Sequence, residues 1–200
     1  MQLTHLHSKF DALQKQYGSP NLDQIYGTGC IERPDVCFVF MNPTGKNVAS
    51  AKTWRGLKAP WIGTKNTWKL FNSVGVLSDE TLSEIFARRP EEWDYDFARA
   101  VYTELANRRI YVTNLGKCTM ENAHNPPDSI FRQYLGLLET EIKTIAPKKN
   151  YRRRPIPNLP GLLPCRSRNA KLATCHRRHP ICYKQLIPCH FKEFFCAARW

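Results

Sequence analysis

Two short apolar runs limit what this chain can fold into. Val36–Met41 (VCFVFM) is continuously apolar, and Pro34 and Pro43 close it off on both sides. Prolines that close together leave no room for a helix, so the run predicts a buried strand. Ile110–Leu115 (IYVTNL) is a second such run. Around them the apolar spacing is helical. Leu3, Leu6, Phe10, Leu13 and Tyr17 make one stripe, which Gly18 can end. Asn66 can cap a helix whose Leu70, Phe71, Val74 and Leu77 face inward. Leu82, Ile85 and Phe86 predict a shorter helix that stops before Pro90, and Trp93, Phe97, Val101 and Leu105 predict another. Asp128 or Ser129 can open a long helix through Ile130, Tyr134, Leu138, Ile142 and Ile145, ended by Pro147. Strand, helices, strand, helix is the order of an α/β domain, a short parallel sheet with helices on both faces.

Charge divides the chain at Pro147. The whole sequence of 200 residues carries a formal net charge of +13. Residues 1–147 hold 17 Lys and Arg against 16 Asp and Glu, whereas residues 148–200 hold 13 against Glu193 alone. Five of the eight cysteines also fall after Pro147, in a stretch with no Val and no Asp. The expected organisation is an α/β domain over 1–147 and a basic Cys/Pro/Arg-rich tail over 148–200. No stretch of apolar residues is long enough to span a membrane, and the first twenty residues lack a signal-peptide pattern. A cytoplasmic monomer without a membrane partner is expected.

In parallel α/β sheets the working residues lie just beyond the carboxyl ends of the strands. Here those ends are Met41-Asn42-Pro43-Thr44-Gly45-Lys46-Asn47 and Asn114-Leu115-Gly116-Lys117-Cys118. The first is not a phosphate-binding P-loop. That motif opens with Gly where Phe40 stands and needs Ser or Thr where Asn47 stands. Asn114 offers a donor and an acceptor, which suits the edge of a planar heterocycle, although an Asn can also simply cap a strand end. Trp61, in Ala59-Pro60-Trp61-Ile62-Gly63, is a candidate stacking platform or an ordinary core aromatic.

In order and spacing these segments resemble the uracil-DNA glycosylase superfamily over about residues 26–147. Gly27-Thr28-Gly29 through Met41-Asn42-Pro43-Thr44 is similar to its first strand and water-binding loop. The Met-Asn-Pro wording is closer to the mismatch-specific and single-strand-selective branches. Lys58 through Phe71 with Val74-Gly75-Val76-Leu77, and Tyr111 through Cys118, resemble segments of the iron–sulfur branch, as do Tyr134-Leu135 and Ile145-Ala146-Pro147-Lys148. The resemblance implies a three-layer α/β/α fold and hydrolysis of the N-glycosidic bond of a flipped uracil in DNA. It assigns Asn42 to the attacking water, Trp61 to stacking on the base and Asn114 to the uracil edge. Met41, Pro43 and Lys117 fall within the same substrate-binding segments.

The chain also departs from that family. Only Cys118 stands where an iron–sulfur ligand is expected, and Cys30 and Cys37 are not a Cys-x-x-Cys pair, so no cluster and no cofactor is expected. The family's later strands and His-Pro-Ser loop have no clear counterpart. His179-Pro180 echoes that loop, which makes His179 a weak catalytic candidate. The tail can be a zinc site built on Cys175, His176, His179 and Cys182, or a nucleic-acid-binding extension. It can also be the product of a reading-frame change, which the abrupt swing in composition favours. Two strands make a meagre sheet, so the domain is expected to be incomplete at its C-terminal end and to excise poorly, more so from duplex than from single strands. The competing expectation is a non-catalytic nucleic-acid-binding protein that uses the basic tail.

Overall fold

Both apolar runs become strands in the computed structural model, which describes residues 3–121 and 125–148. β2 (Val36–Phe40) and β3 (Ile110–Asn114) run parallel, with Val36 opposite Ile110 and Phe40 opposite Asn114. β1 (Thr28–Gly29) pairs antiparallel with the other edge of β3, giving the order β1-β3-β2. The sheet is therefore mixed, which corrects the purely parallel sheet expected from the sequence. Two residues are too few to show an apolar alternation. Gly29 marks the place instead: its φ is 101°, and a Cβ there would sit 2.3 Å from the Ile110 carbonyl oxygen.

Alternation along the strands sorts side chains onto two faces. Phe38, Phe40, Ile110 and Val112 face a core shared with α2 (Asn66–Ser73), α3 (Asp79–Ala87) and α4 (Tyr95–Asn107). Cys37, Val39 and Tyr111 face the other way, toward α1 (His7–Tyr17) and α5 (Asp128–Ile145). A 3-10 turn, Leu3–Leu6, leads into α1. Caps fix the starts of two helices. The Ser78 hydroxyl accepts from Thr81 N at 3.2 Å to open α3, and Asp94 Oδ1 accepts from Phe97 N at 2.7 Å to open α4.

α2 differs in register from its expectation. Asn66 is its first helical residue and not its cap, and the helix ends at Ser73 before Gly75 turns the chain at φ 73°. Val74 is therefore exposed, while Trp68 takes the core position beside Phe71. Trp93 is buried but precedes α4, and Phe86 is exposed. The tail expectations, including His179 and the zinc grouping, lie outside the described residues. Among the described residues no helix is long and apolar enough to cross a membrane.

Candidate functional site

Parallel pairing places the two strand exits side by side. The ladder continues past the strands, with Leu115 N donating to Phe40 O at 2.6 Å and Gly116 N to Met41 O at 2.8 Å. Met120 N then donates to Pro43 O at 3.2 Å, and Gly45 N to Met120 O at 2.9 Å. Gly116 permits the close approach. A Cβ on it would lie 3.1 Å from the Phe131 ring and 3.6 Å from Asn42 Cβ. Asn42 is half-buried, and its amide nitrogen donates to the Pro43 carbonyl at 3.0 Å, which leaves Oδ1 to accept from a water. The loop proceeds into a short 3-10 turn, Val48–Ser50, and not into the helix that a phosphate-binding loop requires. Pro43 is buried in the loop, and Met41 packs toward α1 and α5, away from Phe40.

Asn114 ends β3 and is 2% exposed. By alternation its side chain leaves the sheet on the face of Val112 and of its register partner Phe40. Its amide nitrogen is enclosed and has no hydrogen-bond partner among the described residues. An unpaired enclosed donor costs about 1–3 kcal/mol, a cost that a hydrogen-bond acceptor from outside would offset. Trp61 stands on the same face, edge-on to Phe40 at 4.3 Å and to Phe71 at 5.6 Å.

The loop bearing Trp61 is held at many points. Thr64 N (3.0 Å), Thr64 Oγ1 (2.8 Å) and Trp68 Nε1 (3.1 Å) all donate to the Trp61 carbonyl. The buried Tyr102 hydroxyl donates to the Pro60 carbonyl. Asn47, also buried, joins this loop to the first strand exit. Its Nδ2 donates to Ala59 O at 2.8 Å while its Oδ1 caps the 3-10 turn at Ala49 N. Under these constraints Trp61 adopts φ 64°, a left-handed conformation that is costly for a bulky residue. Such strain persists where surrounding bonds over-determine it, and it clusters at functional sites.

Beneath Asn114, on the opposite face of β3, lies a buried ionic network. The Lys117 ammonium donates to Thr113 Oγ1 at 2.6 Å and to the Asn114 carbonyl, and it pairs with Glu141 Oε2 at 2.7 Å. Glu141 Oε1 accepts from the Tyr111 hydroxyl at 2.6 Å and from Thr113 Oγ1 at 2.8 Å. Both charged side chains are almost wholly enclosed. Lys117 was expected among the substrate-binding residues. Its ammonium is wholly enclosed and directed to Thr113, the Asn114 carbonyl and Glu141, on the face opposite the Asn114 side chain. Cys37 lies nearby, its thiol pKa pushed up to about 12 by burial and by the Glu141 charge. The sequence reasoning missed Glu141, although a signal existed. Tyr134, Leu138, Glu141 and Ile145 form one buried stripe of α5, and the third position carries a carboxylate.

The iron–sulfur cluster of the resembled branch does not fit these residues. A four-iron cluster needs four cysteine ligands, whereas among the described residues Cys118 is buried beside Tyr134, Cys37 is buried in β2, and Cys30 is half-exposed. Among the described residues no group of three or more His, Cys, Asp or Glu side chains can hold a metal ion.

Residues 42–71, which carry the first exit and the Trp61 loop, hold six Lys and Arg and no Asp or Glu. Of these, Lys46, Lys52, Arg55 and Lys69 are exposed, while Lys58 pairs with Asp23 at 2.8 Å. No protein-family model and no curated protein matches the chain.

Proposed function

We propose that this chain is a uracil-DNA glycosylase-like base-excision enzyme built on an α/β/α body of that superfamily's layout. The observation that carries the reading is the enclosed, unpartnered amide of Asn114, set at a strand exit on the same face as the strained Trp61. A base inside a duplex is out of reach of an amide this enclosed, so the substrate nucleotide is flipped out of the stack. Trp61 then stacks against the base, and Asn114 reads its edge. Uracil presents an N3–H and an O4 where cytosine presents the reverse pattern, so one amide orientation satisfies uracil and leaves cytosine unpaired.

The glycosidic bond breaks with its electron pair leaving on the base. The sugar becomes an oxocarbenium-like cation and the base a uracil anion. Water adds to the anomeric carbon and loses a proton to solvent, which in turn neutralises the uracil anion. The Asn42 amide has no basic atom to take that proton, so its part is to hold the water in line through Oδ1. The sugar cation itself makes the attacking water acidic. The exposed cations of residues 42–71 suit the phosphates on either side.

Single-turnover excision from uracil-containing oligonucleotides tests the reading. Asn42→Ala is expected to remove most activity while leaving the circular dichroism spectrum unchanged, and Asn114→Asp to weaken discrimination against cytosine. Wild-type activity in the double variant would refute the assignment. The second reading, a non-catalytic nucleic-acid-binding protein, rests on the 13 Lys and Arg of residues 148–200. It predicts tight binding with no preference for uracil over thymine.

A further inference from the structure

We infer that the Lys117–Glu141 pair is a positioning device for Asn114, through which α5 sets how sharply the site discriminates between bases; this rests on the reading of Asn114 as the base-reading residue. The bonds of Lys117 fall on two consecutive residues at the end of β3. Its ammonium holds the Thr113 hydroxyl and the Asn114 carbonyl together. Glu141 then fixes that ammonium and binds Tyr111 and Thr113, the two side chains that leave β3 on its own side.

Every side chain of this network lies on the α5 face, while the Asn114 amide leaves on the opposite face. The network therefore clamps the peptide that carries Asn114 without crowding its side chain. The bond to the Asn114 carbonyl matters most, because a rotation of that peptide would swing the amide away from a base edge. Gly27 adds a further constraint, since a Cβ there would come within 2.5 Å of Glu141 Oε1. A buried charge pair is a weak source of stability, because apolar replacements of similar volume are often neutral or better. Its worth here is orientation. The ladder bond from Leu115 N to Phe40 O holds the other end of that peptide and keeps the register, and the Lys117 bond to its carbonyl adds the angular control that bidentate reading needs.

The test uses the full chain with three variants of graded severity: Thr113→Val, Glu141→Gln, and the double replacement Lys117→Met with Glu141→Leu. Lys143→Gln, in the exposed Lys143–Glu139 pair of α5, is the control. Two readouts are taken. The first is the side-chain amide signal of Asn114 in a nitrogen-15 spectrum, identified by its disappearance in Asn114→Ala. The second is the ratio of single-turnover rates on uracil and cytosine oligonucleotides. All three variants are expected to shift or broaden the Asn114 signal and lower the ratio by roughly ten- to a hundredfold. Adding Asn114→Ala to any of them should then cost less than it does in the wild type. The control should change neither readout.

An unmoved Asn114 signal with an unchanged ratio, even with lower melting temperatures, would overturn the inference and leave the pair structural. Failure of all three variants to fold would do the same. If the wild-type chain excises no uracil, the proposed function fails by itself. The Asn114 signal then still decides the positioning role, since it requires no reaction.

Discussion

Trp61 shows how much a single residue's backbone can say that its type cannot. In the sequence it is an aromatic beside a proline, and most such residues are core. The structure gives it φ 64°, with three donors on its carbonyl. That combination separates backbone strain from side-chain packing, and substitution can measure each. Trp61→Ala and Trp61→Gly both lose the ring contacts with Phe40, Phe71 and Trp68. Glycine alone also releases the left-handed penalty, so Trp61→Gly should be the more stable of the two by about 1 kcal/mol in urea unfolding. Both should lose uracil excision. Equal stabilities would show that the loop relaxes once the ring is gone. Asn114 is visible in the sequence because an amide inside an apolar run is conspicuous. Its missing partner is not, because satisfaction of a donor is a property of surroundings that only the fold assembles.

At the scale of elements, the sequence announced what repeats and hid what does not. The stripes of α1, α4 and α5 were legible because apolar residues recur at helical spacing over several turns. α2 was misread by a few residues because Val74 and Leu77 continue its stripe numerically, although Gly75 has already turned the chain. β1 is too short to have a period. The Lys117–Glu141 pair was hidden because charged residues on a helix ordinarily face water. Removing one member should show how deeply it is set. Lys117→Met leaves Glu141 uncompensated and should cost about 3–5 kcal/mol, while the double replacement with Glu141→Leu should recover most of the loss. A second junction depends on pH. Glu104 of α4 accepts from Ser78 N at 2.8 Å and Thr81 Oγ1 at 2.7 Å, tying α4 to the start of α3. Partial burial disfavours its charge, but these bonds and Arg108 prevail, and its pKa is lowered. A carboxyl with a lowered folded pKa stabilises the protein above its unfolded pKa and loses that contribution as pH falls through the folded value. Glu104→Gln should thus cost about 1–2 kcal/mol at neutral pH. Its melting-temperature gap from wild type should close as the pH falls through the carboxyl range, and a constant gap would show that the charge is not responsible.

Across the molecule, charge is segregated in a way that the near-neutral total for residues 1–147 conceals. The segment 42–71, which carries the first strand exit and the Trp61 loop, holds six cations and no Asp or Glu, whereas residues 79–96, spanning α3 to the start of α4, hold seven Asp and Glu against Arg88 and Arg89. A polyanion is thus favoured at the loops of residues 42–71 and disfavoured along residues 79–96, before any contribution from the tail. This separates two roles that the net charge of +13 merges. Replacing Lys46, Lys52 and Arg55 by Gln removes three exposed cations from the site loops, and replacing Arg152, Arg153 and Arg154 by Gln removes three from the tail. Each phosphate contact on single-stranded DNA contributes about 0.7 to the slope of log affinity against log salt, so either triple variant can flatten it by about 2. The two should part in catalysis. The loop variant should raise the oligonucleotide concentration needed for half-maximal single-turnover excision, because its cations hold the phosphates beside the flipped base. The tail variant should weaken binding to uracil-free and uracil-containing DNA equally, and leave the saturating excision rate and the preference for uracil over thymine as they were. If only the tail variant changes the salt slope, the loops do not hold the strand, and the binding-protein reading gains the ground that the glycosylase reading loses.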